Sequence, residues 1–168
     1  MRDYMFNYVG VDTYELVYTN KDGNKVTKRF TRDVQLARDL ERVEAKGRLD
    51  MLKEMTKQGI SKDDLVIKTT KADGSIIYDE SNFREYEQYY IGLAGNELLN
   101  DICKRFFDMS LVDLFTDMGI DVYKENEKDT LLAVNFGKAL GKVIKGDMER
   151  DAKIPSSSNK EQQTTANS

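Results

Sequence analysis

Residues 14–30 read YELVYTNKDGNKVTKRF, two runs of alternating apolar and polar residues around Asp22-Gly23. Period-two alternation gives a strand one apolar face. Asp-Gly between two such runs is the strongest short-range hairpin signal, through a type I′ turn whose central residues both need positive φ. The chain passes directly into residues 31–59, TRDVQLARDLERVEAKGRLDMLKEMTKQG, where Leu36, Ala37, Leu40, Val43, Gly47, Met51 and Met55 share one arc at 3.6-residue spacing. Thr31 or Asp33 offers the N-cap, and Glu44 and Arg48 stand at i,i+4 in the favourable order. Gly59 suits the position after the helix end, with Ile60 as its apolar contact.

The same succession of hairpin and helix recurs. Leu65 to Thr70 pairs with Ser75 to Tyr78 around Asp73-Gly74, Ser81 caps a second helix, and Phe83, Tyr86, Tyr90 and Leu93 repeat at helical spacing. Gly92 and Gly95 each weaken that helix by up to about 1 kcal/mol relative to Ala, so a kink or break is expected there before the pattern resumes in Glu97 to Phe107. A short helix follows in SLVDLFTDMG, capped by Ser110 and stopped by Gly119. A last helix runs from about Thr130 to Lys145 and ends at Gly146. Upstream, the aromatic and β-branched segment Tyr4 to Val11 can form a strand ahead of the first hairpin. The two helices do not match residue for residue, which leaves convergent hairpin chemistry beside duplication as the origin of the repeat.

These elements predict an α+β protein with two antiparallel hairpins, separate or joined in one small sheet, and three to five packed helices. Residues 1–150 are expected as one domain whose last helix, about 130–145, is its mobile element. Residues 151–168 are polar and almost free of apolar side chains. They cannot bury enough surface to offset their ordering entropy and are expected to be a disordered tail.

The chain has 168 residues, a net charge of −4, no histidine, no tryptophan and one cysteine. Its acidic and basic residues are interspersed, which argues against a positive field for nucleic acid. A single Cys103 forms no internal disulfide, and no apolar run approaches the roughly 20 residues of a membrane span, so a cytoplasmic protein is expected.

Motifs for catalysis fail on spacing or context. Without imidazole there is no Ser-His-Asp or Cys-His set, and zinc sites are built mainly from Cys and His. Counting back from Gly23 meets Tyr18 where a calcium loop needs its first ligand, and Gly74 meets Lys71. Gly137 to Val143 superficially resembles a phosphate-binding loop, but the glycine spacing is one short and Val143 stands where magnesium needs a hydroxyl. Glu44-Ala45-Lys46 has a nuclease-like E-x-K spacing on a helix, where i and i+2 point about 200° apart. Gly119 interrupts any acidic ridge of Asp113, Asp117 and Asp121. Cys103 reads as a small buried hydrophobe, and the Tyr78 to Tyr90 aromatics read as packing between hairpin and helix. No cofactor and no metal are expected.

The β-rich start, the long charged helix TRDVQLARDLERVEAKGRLDMLKEM, the stretch ESNFREYEQYYIGLA, the piece MSLVDLFTDMGI and the polar tail together resemble the small tail assembly chaperones of phages and prophages of Gram-positive bacteria. The likeness spans roughly residues 10 to 150 as a pattern without a diagnostic residue. It implies a non-enzymatic protein of the host-cell cytoplasm that binds a tape measure or other tail protein; self-association is read separately, from the Leu132, Phe136 and Val143 arc of the last helix. The likeness implies no role for any single residue.

The expected function is therefore shielding of an apolar segment of a larger structural protein. The rivals are a magnesium-dependent nuclease or phosphoryl-transfer enzyme and an acidic inhibitor protein. The partner-binding candidates are Leu132, Phe136, Leu140 and Val143, one arc of the last helix. Opposite that arc lie Lys138, Lys142 and Lys145, a basic face whose default reading is solvation.

Overall fold

The computed structural model describes residues 4–123 and 127–146, and the polar tail of residues 151–168 lies outside them. The fold is α+β. Within it, β1 (Tyr4–Gly10), β2 (Thr13–Thr19) and β3 (Lys25–Thr31) form an antiparallel sheet in that order. The helices α1 (Val34–Glu41), α2 (Val43–Gln58) and α3 (Lys62–Leu65) follow. A separate hairpin of β4 (Ile67–Thr70) and β5 (Ile76–Asp79) precedes α4 (Ser81–Phe107), α5 (Leu111–Asp117) and α6 (Glu127–Lys145). The two sheets are not joined. Six helices stand among the described residues where three to five were expected, because the long first helix is split and α3 adds a single turn.

Both Asp-Gly turns form hairpins, but not by the type I′ geometry. Only the glycines take positive φ, 83° at Gly23 and 87° at Gly74. The Asn24 carbonyl accepts from the Asn20 N–H at 2.8 Å, and Ser75 accepts from Lys71 at 2.7 Å. Each loop therefore holds three residues, a tight turn followed by a left-handed glycine. Asn20 supports its loop from within, its Oδ1 accepting from the backbone of Asp22 and Asn24.

The chain divides into two compact units, one of Met1–Leu40 with Leu99–Ser168 and one of Glu41–Leu98. In the first unit the three-stranded sheet buries one face. Tyr4 and Phe6 from β1, Tyr14, Leu16 and Tyr18 from β2, and Phe30 from β3 alternate inward, as period two requires. Phe136 of α6 is a hub of this core, with ring centroids 5.3 Å from Tyr4, 5.7 Å from Phe6 and 5.5 Å from Phe115. Phe30 forms a second hub against Tyr14, Phe106 and Phe107.

Two helix starts in the first unit are capped as the sequence indicated. Asp33 accepts from the Gln35 N–H at the start of α1, and Ser110 accepts from Asp113 at the start of α5. Gly119 ends α5 at φ 79°, and its neighbour Ile120 donates back to Phe115 while burying its side chain. Two basic side chains close carbonyl ends across the fold. Lys28 Nζ donates to the Phe107 carbonyl at the end of α4, and Arg32 Nη1 to the Ile144 carbonyl near the end of α6. Arg32 also pairs with Asp12, and Arg105 with Asp33.

The second unit contains α2, α3, the β4–β5 hairpin and most of α4. The predicted long helix breaks at Arg42, whose backbone sits at φ −98°, ψ −1°. Neither Gly nor Pro marks that break in the sequence. Gly59 ends α2 in the left-handed region at φ 70°, with Ile60 donating to Met55, as expected. Leu65 belongs to α3 and not to the second hairpin. Ser81 begins α4 but does not cap it: Asp79 Oδ1 accepts from the Ser81 N–H and hydroxyl. The helix then runs unbroken through Gly92 and Gly95. Two losses of up to about 1 kcal/mol are small beside the packing of a 27-residue helix.

A candidate interaction surface

Three of the four partner-binding candidates are spent inside the protein. Phe136, Leu140 and Val143 have 0% exposure, and Leu132 is half-buried. Their arc is the core face of α6, so a partner-binding role for it is corrected: an arc filled by its own unit offers no surface. Gly137 on that helix lets Leu99 approach, where an added Cβ would stand 3.3 Å from its Cδ1. The resemblance to a phosphate loop ends there. Lys138, Lys142 and Lys145 are exposed.

The chemical candidates are likewise accounted for by structure. Asp117 Oδ2 accepts from the Tyr18 hydroxyl at 2.6 Å, tying α5 to the sheet. Burial, and then this hydrogen bond, push the Tyr18 hydroxyl above its ordinary value. Burial also pushes the Cys103 thiol up to about 12, the opposite of an activated thiolate. Glu44 pairs with Arg48, which also meets Glu87, and Lys46 pairs with Asp50. Among the described residues no three His, Cys, Asp or Glu side chains converge as metal ligands. A recess of about 390 Å³ is lined by Tyr78, Asp79, Glu80, Ser81 and Arg84, with Glu80 joined to Lys62 and Arg84.

Exposed apolar side chains occur in both units, with Val11, Val34, Tyr123, Leu131 and Val134 among those of the first, but a helix row at regular spacing stands out in the second. On α2, Gly47, Met51 and Met55 face inward. An added Cβ at Gly47 would stand 2.6 Å from the Ile91 Cα, so α2 and α4 touch backbone to backbone there. Ala45, Leu49, Leu52 and Thr56 form a second row at i, i+4, i+7 and i+11, roughly 130° around the helix from the first. All four are exposed, Leu49 by 51% and Leu52 by 52%. Spacing of alternating four and three residues is that of a helix-packing seam.

Charge borders this row unevenly. Arg42, Lys46, Lys53 and Lys57 line one side, exposed, with only Lys46 held by an acidic neighbour. On the other side Glu41 and Glu44 precede Arg48. The row was legible in the sequence as a second helical spacing, which a reading by one inward arc passes over. The Tyr78 to Tyr90 aromatics are also not core: Tyr78 is 57% and Tyr89 60% exposed, while Phe83, Tyr86 and Tyr90 are half-buried. Their mutual contacts run edge to face, as between Tyr86 and Tyr90 at 5.1 Å.

No family model, no curated protein and no solved structure matches the chain. No helix among the described residues is long and apolar enough to cross a membrane.

Proposed function

We propose that the chain is a non-catalytic assembly protein that shields an apolar segment of a larger structural protein, in the manner of the phage tail assembly chaperones its sequence resembles. One observation carries this reading: beside its inward row α2 has a second row, Ala45, Leu49, Leu52 and Thr56, whose two leucines are exposed. Half-exposed leucines at seam spacing on a helix whose other side is already packed are the anchors of helix-in-groove recognition. The basic border of Arg42, Lys53 and Lys57 suits an amphipathic segment with acidic residues along one flank.

Co-expression with the products of its neighbouring genes, followed by co-purification, tests the reading. A stable complex is expected, lost in the double variant Leu49→Glu, Leu52→Glu while the melting temperature stays within a few degrees. Undiminished complex in that variant, or metal-dependent hydrolysis of DNA by the purified chain, would sink the proposal.

A further inference from the structure

Every residue of β4 and β5 is exposed, a state in which a two-stranded pair is marginal in water. The two outer edges of this hairpin differ. β4 carries Lys68 within the strand and Lys71 just past it, and edge lysines oppose further strand addition. β5 carries Ile76, Ile77 and Tyr78 in succession, exposed by 50%, 47% and 57%, with no charge before Asp79. From the bonded pair Lys71 and Ser75 the register continues through Thr70↔Ile76, Thr69↔Ile77 and Lys68↔Tyr78. Bonded and non-bonded pairs alternate along an antiparallel ladder, so the backbone N–H and C=O groups of Ile76 and Tyr78 turn to the free edge.

We propose that this edge pairs with β5 of a second copy of the chain, about a two-fold axis at Ile77, closing a four-stranded antiparallel sheet. The register is self-complementary. It sets Ile76 opposite Tyr78 twice, bringing their outward N–H and C=O groups together, and Ile77 opposite Ile77. Aromatic and β-branched residues facing each other across strands are favourable pairs.

Charge agrees with this pairing. Asp79 falls opposite Ser75 of the second copy, in a row whose next residue is that copy's Lys71. The same operation on β4 would bring two copies of Lys68 and Lys71 along one seam. In the closed sheet both outer edges are β4, so the lysines end the assembly at two copies. The α2 row used for the larger partner is no part of this edge, so the two surfaces are separable.

Analytical ultracentrifugation of the full chain across a dilution series tests the pairing. The expected result is a two-chain species that dissociates on dilution. Ile77→Lys sets two ammonium groups across the axis and yields single chains. Ile76→Pro removes the outward N–H without touching the hairpin's own ladder and weakens association about tenfold or more. Lys68→Thr and the Leu49→Glu, Leu52→Glu variant leave the dimer intact. Circular dichroism checks that each variant is folded, and Ile76→Pro decides if Ile77→Lys is not. Single chains at every concentration, or a dimer indifferent to both β5 variants, would overturn the proposal.

Discussion

The two units differ in where their apolar side chains end up. The first buries a continuous set that runs from Tyr4 and Phe6 through Leu16, Phe30 and Phe107 to Phe136, Leu140 and Val143. Among the described residues the second buries only Met51, Met55 and Ala94 as apolar side chains, and leaves Leu49, Leu52, Ile67, Ile76, Ile77, Tyr78, Tyr89 and Leu93 half-exposed. Composition does not account for the contrast, since both units are rich in apolar residues. The first has a three-stranded sheet with helices to fill one of its faces. The second has a hairpin with no cover on either face and helices whose rows point two ways. One unit resembles a finished core, and the other resembles half of an interface.

The contrast would break first at Phe136. Replacing it by Ala removes a fully buried ring that touches Tyr4, Phe6 and Phe115. Urea unfolding is expected to show a loss of about 3–5 kcal/mol. A loss below about 1 kcal/mol would mean that the first unit is not the stability-determining core.

A smaller effect is expected at the one tight point of the second unit. Gly47→Ala forces a methyl group against the Ile91 backbone and should cost about 1–3 kcal/mol, reduced by the better helix propensity of Ala. Hydrogen exchange should locate the loss in α2 and α4. Gly92→Ala is its counterpart, with nothing within 4 Å of the added Cβ, and should stabilise by up to about 1 kcal/mol. Equal behaviour of the two variants would remove the close approach from the account.

The smallest effect at neutral pH belongs to Cys103. Its folded thiol titrates at about 12, raised by burial above the ordinary value of 9.0. A raised folded value contributes stability that is complete below the ordinary value and is lost as pH rises towards about 12. The Tyr18 hydroxyl, also raised, acts in the same direction. Thiol alkylation should therefore be slow in native protein at pH 8 and fast in urea, with stability falling through the alkaline window. Rapid alkylation of native protein would place Cys103 outside the core.

Much of this fold was readable one element at a time. Asp22-Gly23 and Asp73-Gly74 announced hairpins, Ser110 and Gly119 bounded α5, and Gly59 with Ile60 closed α2. Each of these is decided by backbone conformations and hydrogen bonds within a few residues. Some errors were local, as at Ser81, which Asp79 two residues away engages instead of a cap; others lay in where helices break. Arg42 breaks a helix with no breaker in its side chain, and Gly92 and Gly95 fail to break one. The candidate site was misread for another reason: Phe136, Leu140 and Val143 form an apolar arc, and an arc does not reveal whether it faces its own core or a partner.

The chain alone determined the α+β class, the turn positions and the helix ends at Ser110 and Gly59, because φ preferences and short-range hydrogen bonds act locally. Tertiary structure decided which apolar rows are consumed and which are left over. That outcome depends on how much matching surface the rest of the chain supplies. The sheet of the first unit found helices to cover its apolar face, whereas α2 found cover for only one of its rows and the β4–β5 hairpin for neither face.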